Sequence, residues 1–222
     1  LSNNGSQIAP IFSNDGNMVA FVRNNNIFIK RLQFDTEVQV TTDGSAEVFN
    51  GTHSQKITHA FGELVSMAWS KDNSSLVYIK GQQVYVYNIQ YKWHKQVELP
   101  QYTEGYITHI QWTNAENQFV VMYLNRLQTE LSVALVDVNT LIAKRIYNYK
   151  EDKFISPENA SYILMFPDAS EFGVLEEKDG YNHLHVYSLN NGRYIYQVGK
   201  GNYDVTKIYG YDAKSKQIFY QS

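Results

Sequence analysis

The 222-residue sequence predicts an all-β protein, a β-propeller whose blades are four-stranded antiparallel meanders. Three observations predict this fold. A unit made of an aromatic residue, a short polar turn and an apolar strand recurs five times, short apolar strands fill the intervals, and no window keeps the 3.6-residue period of a helix. Radial repetition protects the edges of many short sheets, which makes a propeller the natural arrangement. We therefore expect four complete blades and a two-stranded fifth.

Each recurring unit is marked by one aromatic residue: Phe12, Trp69, Trp112, Phe166 or Tyr211. Successive markers lie 57, 43, 54 and 45 residues apart, which scatters around the roughly 40 to 50 residues of a propeller blade. We expect these aromatic side chains to pack between blades. The turn aspartates Asp15, Asp72 and Asp168 follow three of the markers, and short polar side chains in turns commonly hydrogen-bond their own backbone.

Four strands are expected in each complete unit, in chain order. In the first unit they are QIAPIF before the turn, MVAFV after it, then NNIFIKRL and EVQVTT, all rich in β-branched or aromatic residues. The later units repeat this layout, and Asp179-Gly180 and Asn190-Asn191-Gly192 supply turn residues between strands of the fourth. The chain thus reads as one propeller domain, residues 1–222, with blades at approximately 7–44, 64–100, 106–149 and 161–198 and a partial blade at 205–222.

Two stretches interrupt the strand pattern. Residues 43–62, DGSAEVFNGTHSQKITHAFG, alternate weakly, and we expect an irregular loop there. Loops of that length in compact domains are usually functional or disordered, so His53, His59 and Glu63 are the candidate binding residues. Residues 149–160, YKEDKFISPENA, are polar and contain a proline, and we expect a solvated connection between blades.

Composition excludes several classes of function. The chain has no cysteine, which excludes disulfides, thiol catalysis and thiolate metal sites. Its net charge is −3, from 19 basic and 22 acidic residues, with no basic block, which argues against nucleic acid as the main partner. The longest apolar runs have the length of a strand, far short of the roughly 20 residues that span a bilayer, so no membrane span is expected.

Motifs for catalysis are absent from the sequence. There is no Gly-x-Ser-x-Gly elbow, no His-Glu-x-x-His zinc signature and no Gly-rich phosphate loop, so no catalytic residue, metal site or cofactor is assigned. His183 and His185 share a strand face, but no third metal ligand is evident, and a partly exposed strand face is expected. Glu176 and Glu177 lie beside the hairpin turn at Asp179, where we expect solvated carboxylates.

Several segments nevertheless resemble one known family. FSNDGNMVAFVRNNNIFIKRL, TEVQVTTDG and FNGT look like the first blade of the dipeptidyl peptidase IV propeller, in its Bacteroidetes form. EGYITHIQWT and LNRLQ are similar to a middle blade, and EEKDGYNHLHVYSLNNGR with GKGNYDVTKIYGYD to the blade after it. The resemblance implies an eight-bladed propeller that precedes an α/β-hydrolase domain in an exported or periplasmic serine exopeptidase. It also implies a pair of propeller glutamates that bind the free amine of the substrate peptide.

The chain departs from the family where that amine should bind. After Asn50-Gly51 the family continues Asp-Trp-Val-Tyr-Glu-Glu, whereas residues 52–59 here read THSQKITH and contain no glutamate. Ile57, Thr58 and His59 stand roughly where the pair should be. A long family insertion is also replaced by the tight turn Lys80-Gly81-Gln82. A cationic amine needs carboxylates to replace its water, and histidine or lysine cannot provide that.

Three functional hypotheses remain open, the third being an interaction module with ligands unrelated to peptides. The preferred one is a non-catalytic propeller domain that acts in binding, gating or scaffolding. The alternative is the substrate-gating domain of an exported serine dipeptidyl peptidase whose hydrolase domain is not among these residues, so enzyme activity stays undecided. Peptides or a hydrolase domain are the expected partners. Because a two-stranded fifth blade leaves strand edges unpaired, we also expect self-association or a longer chain that covers them.

Overall fold

A computed structural model of the chain describes residues 4–167 and 170–222. Four four-stranded antiparallel sheets and one two-stranded sheet follow one another, and within each sheet the strands are hydrogen-bonded in chain order. The first two sheets are β1 Ile8–Phe12, β2 Met18–Arg23, β3 Asn26–Arg31, β4 Thr36–Gln39, then β5 Met67–Trp69, β6 Ser75–Lys80, β7 Gln83–Asn88, β8 His94–Val97. The third and fourth are β9 Gly105–Trp112, β10 Gln118–Asn125, β11 Glu130–Asp137, β12 Ala143–Lys150, then β13 Leu164–Phe166, β14 Glu171–Lys178, β15 Tyr181–Ser188, β16 Tyr194–Val198. The last contains β17 Lys207–Asp212 and β18 Gln217–Gln221. This arrangement confirms the predicted propeller of meander blades.

The hydrophobic cores lie between neighbouring blades. Strand β10 shows why, because its side chains alternate between two cores. Phe119 and Val121 pack toward the second blade, in a cluster with residues of β6 and β7. Val120 and Met122 pack toward the fourth blade, in a cluster with residues of β14. A strand buried on both faces reads as a nearly continuous apolar run, which is what QFVVMYL is.

Tryptophan side chains join the first strands of adjacent blades. The Trp69 indole N–H donates to the Ile11 carbonyl oxygen at 3.1 Å, and that of Trp112 to the Ala68 carbonyl oxygen at 3.0 Å. Trp69 and Phe166 are buried, as predicted for markers that pack between blades. Phe12 is different, with 60% of its surface exposed, because β1 belongs to the first blade and has no described blade on its other side.

The polar turns after the markers have the hydrogen bonds that the sequence predicted. Asp15 accepts a bond from the backbone N–H of Asn17, and Asp72 accepts one from that of Ser74. Each also accepts a bond from the serine hydroxyl two residues before it. Asp168 lies outside the described residues.

Two short helices replace the irregular segments. Helix α1 spans Gln55–Phe61, within the predicted loop, and α2 spans Pro157–Ala160, within the predicted solvated connection. The connection is not simply solvated, because Ile155 and Ala160 are buried in the core between the third and fourth blades. The Ser156 hydroxyl caps α2 by accepting a bond from the backbone N–H of Asn159 at 3.2 Å. Within the described residues, neither helix has the length and apolar character needed to cross a membrane.

Candidate functional site

The segment that carries the predicted binding residues is anchored at its start by Asn50 and Gly51. Asn50 is fully buried, and its side-chain amide donates to the Asn25 carbonyl oxygen and to Asp43, both at 3.1 Å. Gly51 has a φ of 72°, and a Cβ there would lie 2.6 Å from the Met67 sulfur. Glycine therefore permits both the backbone conformation and the close approach of β5. The contacts of Asn50 and Gly51 therefore hold the start of the segment that leads into α1.

Helix α1 turns one face inward and the other toward solvent. Ile57 and Phe61, four residues apart and hence on one face, are buried in the core that contains β10. The outward surface is formed by Gln55, Lys56, Thr58 and His59. Glycine at position 62, with a φ of 76°, ends the helix and donates its N–H to the Thr58 carbonyl oxygen. The outward face thus carries no carboxylate.

The structure separates the three predicted binding residues. His53 precedes α1, and burial lowers the pKa of its imidazole to about 4, so the ring is neutral at pH 7. Neither ring nitrogen of His53 has a hydrogen-bond partner among the described residues. His59 is exposed on the outward face of α1, and Glu63 is exposed beyond the end of the helix. Within the described chain no hydrogen bond or ion pair joins any two of them, and their role stays a prediction.

A buried carboxylate in the fourth blade was not expected from the sequence. Glu176 is only 1% exposed, so the prediction of two solvated carboxylates was wrong for this residue. It alternates with exposed Glu177 along β14, and its side chain points into the space between the third and fourth blades. The hydroxyl of Tyr187 donates a hydrogen bond to Glu176. The Lys178 ammonium lies 2.6 Å from the other carboxylate oxygen.

Aromatic rings pack against the tyrosine that bonds this carboxylate. Tyr187 contacts Tyr147 of β12, with ring centroids 5.0 Å apart, and Tyr194 of β16, with centroids 5.6 Å apart. Burial, and then the charge of Glu176, raise the pKa of the Tyr147 hydroxyl. Burial likewise raises the pKa of Tyr187, assisted by its hydrogen bond to Glu176. Tyr147 and Tyr187 are therefore neutral at pH 7, and they lie beside the ion pair of Glu176 and Lys178.

The two histidines of β15 lie beside this cluster. His183 is 4% exposed and His185 is 2% exposed, so the predicted partly exposed strand face is in fact buried. Burial lowers the pKa of His185, and neither of its ring nitrogens has a hydrogen-bond partner among the described residues. No group of three or more His, Cys, Asp or Glu side chains in residues 4–167 and 170–222 is placed to hold a metal ion.

An open groove of about 790 Å³ runs beside α2 between the third and fourth blades. Its wall contains one lysine, Lys153, and five acidic residues: Glu151, Asp152, Glu158, Glu177 and Asp204. No ion pair involves any of the five acids in the described part of the chain. Phe154, 65% exposed, adds an apolar surface to this groove. Its composition suits a partner with both positive charge and apolar surface.

Comparisons with known proteins agree on one family. The family model described as "Dipeptidyl peptidase IV (DPP IV) N-terminal region" matches residues 1–91 and 82–222. The crystal structure of Porphyromonas gingivalis dipeptidyl peptidase 4 superposes with a TM-score of 0.90 at 34% identity, covering 99% of this chain and 36% of that one. A putative dipeptidyl aminopeptidase IV from Bacteroides ovatus shares the fold, with a TM-score of 0.79 at 18% identity over 96% of this chain and 36% of that one.

Curated sequences give the same result. A probable dipeptidyl peptidase 4 from Aspergillus clavatus is 24% identical over 264 aligned positions, which cover 95% of this chain and 33% of that protein. A probable dipeptidyl-aminopeptidase B from Podospora anserina is 37% identical over 76 positions, or 33% of this chain and 8% of that protein. The chain thus spans about a third of the length of the relatives that it matches throughout.

Proposed function

Because the chain belongs to the family of dipeptidyl peptidase IV N-terminal regions, we propose that it is a non-catalytic propeller domain that acts in binding, gating or scaffolding. The observation that carries this proposal is the outward face of α1. Ile57, Thr58 and His59 stand roughly where the family resemblance places an amine-binding glutamate pair, and no acidic residue occurs in α1. A cationic amine at this face would lose water without gaining a carboxylate. We propose peptides or a hydrolase domain as partners, with the acidic groove beside α2 as one surface for them.

The alternative is the substrate-gating domain of an exported serine dipeptidyl peptidase. The observation that favours it is the similarity to the Porphyromonas gingivalis enzyme, which extends over 99% of this chain. The natural reading frame separates the two functions. A hydrolase domain encoded after Ser222, with serine, histidine and aspartate in the geometry of a triad, would favour the alternative.

The test of the proposal restores the missing carboxylates. We expect the unaltered chain to show no saturable binding of an Ala-Pro-Ala tripeptide by titration calorimetry. The double variant Thr58→Glu/His59→Glu should bind it, and should lose that binding when the peptide is N-acetylated, because the acetyl group removes the cation. The matched control is Gln55→Glu/Lys56→Glu, which adds acids to the same helix at other positions.

Two results would contradict the proposal. One is saturable binding of the free-amine peptide, but not of the acetylated peptide, by the unaltered chain. The other is release of dipeptides from X-Pro or X-Ala chromogenic substrates by the purified 222-residue chain, which we expect to be inactive because its sequence contains no nucleophile elbow.

A further inference from the structure

The Glu176 carboxylate has the surroundings of a bound cation site. Burying a carboxylate is costly unless an opposite charge and hydrogen bonds replace its water. Here the Lys178 ammonium supplies the charge at 2.6 Å, and the Tyr187 hydroxyl supplies a hydrogen bond. The carboxylate is held in the core, at 1% exposure, whereas the Lys178 side chain is 43% exposed. One partner of this ion pair is therefore fixed and the other borders solvent.

The ammonium of Lys178 is held as a separate ligand would be. It donates to the Tyr187 hydroxyl at 3.1 Å in addition to its contact with Glu176. It also lies 5.8 Å from the ring centroid of Tyr187 and 5.4 Å from that of Tyr194, within the range of cation–π attraction. The buried imidazole of His185 packs behind Tyr194, with centroids 6.0 Å apart. A carboxylate, a hydroxyl and two aromatic faces thus converge on one –NH₃⁺ group.

We propose that Glu176, Tyr187 and Tyr194 form a binding site for a primary alkylammonium group, and that Lys178 fills this site in the unliganded chain. Lys178 is the last residue of β14 and precedes the hairpin turn Asp179-Gly180, so its side chain can leave without breaking strand pairing. An incoming ammonium on an unbranched carbon chain would take its place. This site is in the fourth blade and does not rest on the function proposed for α1.

Two sources of such an ammonium group share the same chemistry. One is a small free amine, and the other is a lysine side chain of a partner protein. Both would fit, because every contact that defines the site is made to the –NH₃⁺ group. A planar guanidinium would fit worse, since one carboxylate oxygen of Glu176 already accepts the Tyr187 hydroxyl and only the oxygen vacated by Lys178 is open, which hinders bidentate pairing.

The experiment removes the chain's own ammonium. We expect Lys178→Ala to bind n-butylammonium saturably by calorimetry and to gain thermal stability with rising amine concentration. Butanol, which has the same carbon chain without the charge, should do neither. The unaltered chain should bind n-butylammonium at least about tenfold more weakly, because the tethered Lys178 competes at high effective concentration. Nα-acetyl-lysine amide and n-butylammonium, compared on Lys178→Ala, distinguish a lysine side chain from a small amine.

The control removes the carboxylate as well. The double variant Lys178→Ala/Glu176→Gln should lose the response to n-butylammonium, because the amide provides no charge. Lys178→Met keeps the apolar part of the side chain and replaces Lys178→Ala in the experiment if the alanine variant does not fold. If neither variant folds, the aromatic NMR signals of Tyr187 and Tyr194 in the unaltered chain should still shift saturably with n-butylammonium and not with butanol. Three results would overturn the proposal. They are the absence of saturable binding in the folded variants, an equal response of the double variant or of butanol, and the absence of that NMR shift.

Discussion

For individual residues, histidines that lose part of their water on folding make the stability of the fold depend on pH. Burial lowers the pKa of His53 to about 4 and also lowers those of His94, His109 and His185. In the unfolded chain these imidazoles return to a pKa of about 6.5. Between these values the unfolded state binds protons that the folded state does not, so the free energy of unfolding falls as the pH falls from about 6.5 to about 4.

We predict that His53→Gln flattens this dependence. The variant should lose less unfolding free energy between pH 7 and pH 4.5 than the unaltered chain, with a difference on the order of 2 kcal/mol. Urea denaturation at pH 7, 5.5 and 4.5 measures it. His59→Gln is the matched control, because it removes an exposed imidazole from the same segment. Equal slopes for His53→Gln and the unaltered chain would show that the His53 ring is solvated.

Carboxylates affect the stability of the fold at lower pH than the histidines do. Hydrogen bonds to Ser13 and Asn17 lower the pKa of Asp15, and the Lys80 ammonium lowers that of Asp43. Their contribution to stability is present above their unfolded pKa of about 4 and is lost as the pH falls further. The histidine effect is therefore measured at pH 4.5 and above, where these carboxylates remain largely ionised in both states.

At the element scale, the strands could be predicted from the sequence and helix α1 could not. Alternating apolar runs such as HLHVYSL and the turns between them indicate strands directly. Helix α1 has only seven residues, and its inward face consists of Ile57 and Phe61 alone, so it shows no sustained period. Its position depends on tertiary contacts with the core between the third and fourth blades. A short helix of this kind is stabilised by packing rather than by its own propensity.

The hydrogen bonds that tryptophans make between blades lead to a prediction at the same scale. Trp112→Phe keeps an aromatic ring but removes the N–H that bonds the Ala68 carbonyl oxygen. We expect a loss of about 1 kcal/mol or more of unfolding free energy, the usual net value of a hydrogen bond plus the cost of the unpaired carbonyl. Urea denaturation followed by far-UV circular dichroism measures this without relying on tryptophan emission.

The comparison for that variant is Trp93→Phe. The indole N–H of Trp93 makes no hydrogen bond within the described residues, although its ring packs against the core between the second and third blades. Trp93→Phe should therefore lower the free energy of unfolding by less than Trp112→Phe does. If the two substitutions lower the free energy of unfolding equally, the hydrogen bond to Ala68 does not hold the blades together. Ring packing alone would then explain the role of the marker aromatics.

At the scale of the whole molecule, the burial of Glu176 shows what local sequence cannot reveal. EEKDG reads as a polar hairpin tip, and for Glu177 that is correct. Glu176 is buried beside Tyr187, which donates a hydrogen bond to it and packs against Tyr147 of the preceding blade and Tyr194 of its own blade. Tyr147 and Tyr194 are 29 residues before and 18 residues after Glu176 in the chain, and nothing in the sequence pattern pairs them with it. The same long-range packing buries His183 and His185.

The blades also differ in how much of their surface is covered. The third blade, β9 to β12, has a hydrophobic core on each side. Within the described residues the fifth blade, β17 and β18, packs on one side, and Tyr209 and Phe219 remain 62% and 53% exposed. Opening a strand that is packed on both faces exposes more apolar surface than opening one packed on a single face. Local unfolding should therefore be easiest in β17 and β18.

We predict that amide hydrogen exchange follows this difference. Peptides from β10 and β11 should exchange slowest, and those from β17 and β18 should exchange fastest among the strands, as measured by mass spectrometry of the native chain at pH 7. Repeating the measurement at two protein concentrations separates intrinsic stability from association. Protection of β18 equal to that of β10 at low concentration would contradict the prediction. Protection of β18 that appears only at high concentration would instead show that a second copy covers Tyr209, Phe219 and the open strand edge.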